Sequence, residues 1–343
     1  MDAWLPWLER LVSAESLDDC AGAVSALFAE YLGQPPAAHG SHLLWSSGSP
    51  RVLLLGHYDT VWPLGTVARW PFAVDGDRAT GPGVFDMKAG IVQMVLAMAS
   101  LPSLDGVAAL LTSDEETGSL SSRPLIESTA AGCAACFVLE PSAGGKLKSA
   151  RKGTGMYTLS VAGKASHAGL EPEKGINALV GLSSVVLAVS SLELGDGTTV
   201  TPTVSSAGTA TNVVPASASV EIDVRVWSAS EAERVDQLLR GIAPVVGSLS
   251  VEGGMNRPPM EPSPGLVAMA AGRGFESVAV GGGSDGNFTA AMGIPTLDGL
   301  GAVGDHAHGE GEYCLLSAVE ERSSLLAQLV TEVMATTPPV VPT

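Results

Sequence analysis

Four consecutive aliphatic residues, Val52-Leu-Leu-Leu55, run directly into Gly56-His57. A strand that is apolar on successive residues turns neither face to water, so it belongs in a parallel or mixed sheet covered by helices. Two further short runs have the same character, Val107-Ala-Ala-Leu-Leu-Thr112 and Cys136-Phe-Val-Leu139. Between the first two, Met87 to Ala99 has the length and composition of a helix. The first forty residues also carry helical periodicity, with Trp4, Leu8, Leu11 and Val12 followed by Ala23, Leu27, Tyr31 and Leu32. Strand, helix, strand alternation predicts an α/β fold with a mixed sheet between helices.

The pattern changes near residue 153. Met156 to Gly163 alternates with period two, as do Thr201–Ala207 and Ala218–Val226, and helical stretches lie at 177–192 and 230–242. This reads as a small α+β unit of domain size. The Pro-rich run Arg257-Pro-Pro-Met-Glu-Pro-Ser-Pro264 reads as the return linker. The α/β pattern then resumes and ends in a helix over 316–334. The expected organisation is a catalytic domain in two parts, 1–152 and 264–343, with a domain inserted at 153–263. A chain of 343 residues is too long for one comfortable core.

A formal net charge of −18 argues against nucleic acid, which needs clustered Lys and Arg, and disfavours anionic membranes. The amino terminus has no basic segment followed by an apolar stretch, and no apolar run reaches transmembrane length, so a cytoplasmic location is the default. Cys133 and Cys136 form a C-x-x-C inside an apolar run without a second thiolate pair, which reads as two small buried residues.

Five segments carry acidic or imidazole groups suited to divalent metals, most of them at or just after expected strand ends. His57 ends a strand, and Asp59 lies on the same side two residues on, able to hold the second imidazole N–H. Asp86 follows Gly81-Pro-Gly-Val-Phe and suits either a helix cap or a bridging ligand. Glu115 and Glu116 are adjacent in Asp-Glu-Glu-Thr-Gly, either an exposed acidic turn or a division of labour between base and ligand. Glu140 ends another strand and alone signals little. His306 and His308 stand in a glycine-rich loop, where one is a candidate ligand and the other its neighbour.

Taken in order, Gly-His57-Tyr-Asp59-Thr-Val, Gly-Pro-Gly-Val-Phe-Asp86-Met-Lys, Asp-Glu115-Glu116-Thr-Gly and Leu-Glu140-Pro resemble the zinc aminohydrolase family of glutamate carboxypeptidase, acetylornithine deacetylase and succinyl-diaminopimelate desuccinylase. The resemblance spans nearly the whole chain and is nearest the glutamate carboxypeptidase branch. It implies a two-zinc exopeptidase-like catalytic domain, with cobalt or manganese as other candidate metals. Asp86 would bridge, His57 and Glu140 would hold one ion, and Glu116 and His308 the other, with His306 as the alternative last ligand. Asp59 would orient His57, and Glu115 would be the general base.

The resemblance further implies that the inserted unit is a lid and dimerisation domain, making the protein a homodimer. Its His167, in Lys164-Ala-Ser-His-Ala-Gly, would stabilise an oxyanion in the partner's site. Asn212, Arg225, Arg257, Gly283 and Ser284 would contact a small-molecule or short-peptide substrate bearing a carboxylate. The implied activity is amide hydrolysis, as a carboxypeptidase releasing a C-terminal glutamate-like residue. The alternatives are an N-acyl-amino-acid deacylase and a non-catalytic zinc-binding module.

Overall fold

The computed structural model describes residues 3–336. Contacts divide the chain into two compact units. The first runs through Ala150 and comprises also Glu261–Val280 and the chain from Ser284 onward; the second is Arg151–Met260 with Gly281–Gly283.

The first unit is built on a six-stranded mixed sheet. Its spatial order is Ala37–His39, His42–Ser46, Val107–Thr112, Val52–His57, Ala135–Val138 and Thr296–Leu297. The first two strands pair antiparallel, and His42–Ser46 meets Val107–Thr112 antiparallel; the remaining pairings are parallel. Every residue of the strands at 52–57 and 107–112 is buried. Successive side chains point to opposite faces, so each run feeds two cores. Val52, Leu54, Val107 and Ala109 pack under the helices Leu5–Ser13, Leu17–Leu32, Ala89–Ser100 and Ala318–Ala335. Leu53, Leu55, Ala108 and Leu110 pack on the other face with Ile126, Ala130 and Phe288. Cys136 belongs to this second core; all four cysteines are free and buried.

The helix expected from Met87 begins instead at Ala89. Asp86 (φ −116°, ψ 96°) and Met87 (φ −130°, ψ 37°) depart from helical backbone, and the peptide between them is cis. The Gly81–Lys88 segment therefore approaches the helix as an irregular turn, with Gly83 in the left-handed region at φ 73°. A side chain at Gly83 would collide with Thr60, so this turn requires glycine for space and for conformation.

The second unit is a four-stranded antiparallel sheet in the order Thr199–Ala207, Ser217–Val226, Gly153–Ala162, Ser248–Arg257. Helices Ala178–Ser190 and Ala229–Arg240 contribute Leu182, Val185, Val235 and Leu239 to its core. Asn177 caps the first helix through the Leu179 and Val180 N–H groups, and Ser228 caps the second through Glu231 N–H. The strand Ser248–Arg257 was not expected from the sequence. Its Gly253-Gly254 pair breaks the alternating pattern, and Gly253 (φ 93°) sits where a Cβ would strike the Met156 carbonyl. Arg257 thus ends a strand and is buried, where a linker was anticipated. Pro202 lies in an edge strand at a register irregularity, the place a sheet tolerates proline.

Candidate metal centre

All the expected metal ligands lie in the first unit. His57 closes the Val52–His57 strand, and Thr112, directly beside it, closes the neighbouring parallel strand. Parallel strands deliver their carboxyl ends to one edge, so the loops after residues 57, 112 and 138 converge. The irregular turn at Asp86 and the segment around His308 complete the group.

Asp86 sits at its middle. Its Oδ1 lies 3.3 Å from His57 Nε2, and its Oδ2 lies 3.3 Å from His308 Nε2. His57 Nε2 is also 3.3 Å from Glu140 Oε1, and His308 Nε2 is 3.1 Å from Glu116 Oε1. Each imidazole nitrogen therefore faces two carboxylate oxygens while having at most one proton to give. Glu115 joins the same cluster, since one oxygen of it, one of Glu140 and a nitrogen of His57 lie within 4.8 Å of one another. Lys148 Nζ approaches Glu140 Oε2 at 3.9 Å. His306 is exposed, with its ring 6.4 Å from that of Tyr313, and His308 is the imidazole beside Asp86 and Glu116. Both histidines adopt positive φ, at 65° and 62°.

The electrostatics follow from crowding carboxylates in a buried place. Burial would lower the His57 imidazole, but Asp59, Asp86 and Glu140 together hold its pKa well above the usual range. Asp86, followed by its neighbour Glu116, lifts His308 to about 9 against the opposing effect of burial. Burial pushes Glu116 up to about 7, with Asp86 and Glu140 adding to it and the two imidazoles opposing. Asp86 is raised by burial, yet His308 and His57 hold it well below the carboxylate range. The cluster demands positive charge at the two imidazole positions.

Divalent cations fit that demand. Asp86 Oδ1 is buried without a hydrogen-bond partner, although it faces His57. Two imidazoles with several carboxylates form the donor set that zinc, cobalt or manganese accept.

Asp59 works somewhat differently from the expected carboxylate–imidazole contact. His57 Nδ1 meets the main-chain oxygen of Asp59 at 3.0 Å, whereas the carboxylate Oδ1 is 3.4 Å away. The other carboxylate oxygen accepts the Glu116 main-chain N–H at 3.0 Å. Residue 59 thus holds one ligand by its backbone and the next by its side chain.

A family model for peptidase family M20/M25/M40 matches residues 53–332. The chain belongs to this family. An M20 peptidase is a hydrolase with an α/β fold, which agrees with the mixed sheet and with the site at its strand ends. Carboxypeptidase G2 of Pseudomonas sp. (strain RS-16) is 31% identical over 311 residues, covering 84% of this chain and 75% of that relative. A succinyl-diaminopimelate desuccinylase of Caulobacter vibrioides (strain NA1000 / CB15N) is 27% identical over 315 residues, covering 82% and 81%. The solved YXEP protein of Bacillus subtilis, a dinuclear metal-binding M20 peptidase, matches with a TM-score of 0.67 at 15% identity, covering 97% of this chain and 99% of that one.

Most of the other residues singled out in this M20 chain belong to the second unit. In the second unit, His167 is exposed, and its Nδ1 accepts the Gly169 and Leu170 N–H groups, leaving Nε2 as the protonated nitrogen of the neutral ring. Asn212 is beside it, its carbonyl accepting Ala168 N–H. Arg225 is engaged by Asp223 through two bonds of 3.0 Å, so a substrate carboxylate would compete with that partner. The Gly283 carbonyl accepts from Arg151. Ser284, in the first unit, is fully buried with its hydroxyl donated to Asp298 at 2.6 Å.

Two carboxylates escaped the sequence reading. Asp285 accepts the hydroxyls of Thr112 and Ser119, clasping both ends of the segment that carries Glu115 and Glu116. It directly follows Gly283 and Ser284, and that adjacency was its only signal. Glu312 is buried completely and accepts four donors from the Asp86 turn and Trp62. Its nearness to His308 in sequence was visible, but its partners, more than two hundred residues earlier, were not.

Proposed function

We propose that this chain is a dinuclear-zinc carboxypeptidase that releases a C-terminal glutamate-like residue from a small amide or short peptide. The observation carrying this reading is Asp86, whose two oxygens face His57 and His308 at equal distances of 3.3 Å. Asp86 would be shared between two ions, with His57 and Glu140 completing one position and Glu116 and His308 the other. When bound, the ions lower the pKa of water and polarise the amide carbonyl.

Glu115 takes the proton of the attacking water and passes it to the departing nitrogen. Its closeness to His57 and Glu140 supports that role. Asp59 holds His57 and the Glu116 backbone in place. His167 of the partner subunit would donate its Nε2 proton to the developing oxyanion, making the protein a homodimer through the second unit. Arg225 and Arg257 are the groups proposed to hold the substrate carboxylate, with Asn212, Gly283 and Ser284 proposed as further substrate contacts. A cytoplasmic location suits four unpaired cysteines. Among the described residues no helix is long and apolar enough to cross a membrane.

The likeness to a desuccinylase supports a second reading, release of an acyl group from an amino acid by the same machinery. The test is hydrolysis of C-terminal glutamyl amides against N-acyl amino acids by zinc-loaded protein, with chelator controls. Turnover of the glutamyl amides is expected. Preference for the acyl substrates would move the assignment to a deacylase, and a silent protein binding two ions would make it a binding module.

A further inference from the structure

Glu312 takes its carboxyl group into the interior and sets both oxygens against N–H donors. Its Oε1 accepts the N–H groups of Phe85 at 2.8 Å and Asp86 at 2.9 Å. Its Oε2 accepts Gly83 N–H at 3.0 Å and the Trp62 indole N–H at 3.1 Å. The three main-chain donors lie at the turn where the chain departs from helical backbone at Asp86 and Met87, so regular helical hydrogen bonding cannot serve them all. A buried carboxylate facing several N–H groups forms strong, directional bonds, and it fixes the turn as a rigid piece. The same residue ends a tight turn, in which Gly309 N–H bonds His306 O and Glu312 N–H bonds Gly309 O. His308 lies within that turn. One side chain thus joins the segment bearing His308 to the turn bearing Asp86.

We propose that Glu312 is a positioning residue that sets the aim of Asp86 and His308 together, and so governs the metal position formed by Asp86, Glu116 and His308 more than the one formed by His57, Glu140 and Asp86. The asymmetry comes from counting ligands. Glu312 braces two of the three groups on the first side but only the shared Asp86 on the second. The inference rests on the two-ion reading above.

The experiment is a calorimetric titration of zinc into metal-free protein, comparing the wild type with Glu312→Gln and Glu312→Asp. Glutamine is isosteric, but its amide must face two of the four donors with donors of its own. Wild type is expected to bind two equivalents. In Glu312→Gln one ion should bind within about threefold of wild type, and the other roughly ten- to a hundredfold more weakly, the range for loss of a residue that orients metal ligands. Glu312→Asp keeps the charge on a shorter stem and should show the same inequality to a smaller degree. It carries the test should the glutamine variant not fold. Equal weakening of both ions, or no weakening of either, would overturn the inference and leave the two-ion reading intact. A wild-type protein that binds fewer than two ions would overturn both.

Discussion

The Asp59 carboxylate accepts the main-chain N–H of Glu116 at 3.0 Å, while the Asp59 carbonyl meets His57 Nδ1 at the same distance. One residue therefore ties the ends of two adjacent parallel strands together just where each presents a proposed ligand. Asp59→Ala removes the side-chain half of that tie and leaves the backbone half. Metal affinity is expected to fall about tenfold, the lower end of what such supporting residues contribute, with His57 still bound. Zinc titration of the variant checks this; wild-type affinity would mean that the Asp59 side chain does not support Glu116.

Glu115 and Glu116 are proposed to separate by function, as base and ligand. Glu115→Gln should retain two zinc ions per chain and lose at least about a hundredfold in kcat, the usual contribution of a positioned base. Metal analysis and steady-state kinetics on the same preparation decide it. Loss of one ion would instead make Glu115 a ligand.

The pH dependence of the metal-free protein follows from the crowded carboxylates. His308 rises from 6.5 to about 9 in the folded chain, so its stabilising contribution is full below its unfolded pKa and fades as pH climbs through about 9. Glu116 rises from 4.5 to about 7 because burial disfavours its charge, and its ionisation therefore also costs stability as pH climbs through that window. Both effects have the same sign. Thermal unfolding of chelator-treated protein should show a midpoint falling between about pH 5 and pH 9, and His308→Gln should flatten its upper part.

Metal binding reads the same protons from the other side. Zinc takes neutral imidazole, so loading near neutral pH must expel the proton that His308 holds. Calorimetry in buffers of different ionisation heat should register proton release, and affinity should rise with pH up to about 9. Loading that releases no proton would show His308 to be neutral before zinc arrives.

Gly90 sits on the buried face of the helix after Asp86, and a Cβ there would come within 2.3 Å of the Leu139 carbonyl. Gly90→Ala must push the helix from the strand end that presents Glu140. A loss of about 1–3 kcal/mol is expected from such overpacking, together with weaker zinc binding. Denaturant unfolding of the metal-free protein measures the first, and zinc titration the second.

Much of the first unit was legible because its strands are short, uninterrupted apolar runs. Val52–His57 and Val107–Thr112 need both faces covered, and that requirement alone implies a parallel or mixed sheet under helices. The ligand-bearing segments were legible for a related reason, since polar residues that follow such a run emerge at the same sheet edge. What the sequence could not show were contacts made by backbone. The bond that the Asp59 carbonyl accepts from His57, and the three main-chain N–H groups that Glu312 accepts, leave no residue-type signature at the backbone positions. The strand Ser248–Arg257 was hidden by Gly253, whose left-handed backbone interrupts the alternation that marks a strand.

The turn from His308 to Glu312 is anchored at both ends, by an imidazole against Asp86 and by a carboxylate under the same residue's backbone. Adding or removing one residue would displace one anchor by about 3.8 Å, the step between consecutive Cα atoms. Glu310, exposed between them, faces no comparable demand. Over evolutionary drift position 310 should therefore vary readily, whereas His308, Glu312 and Gly311, the last held at φ 97°, should not.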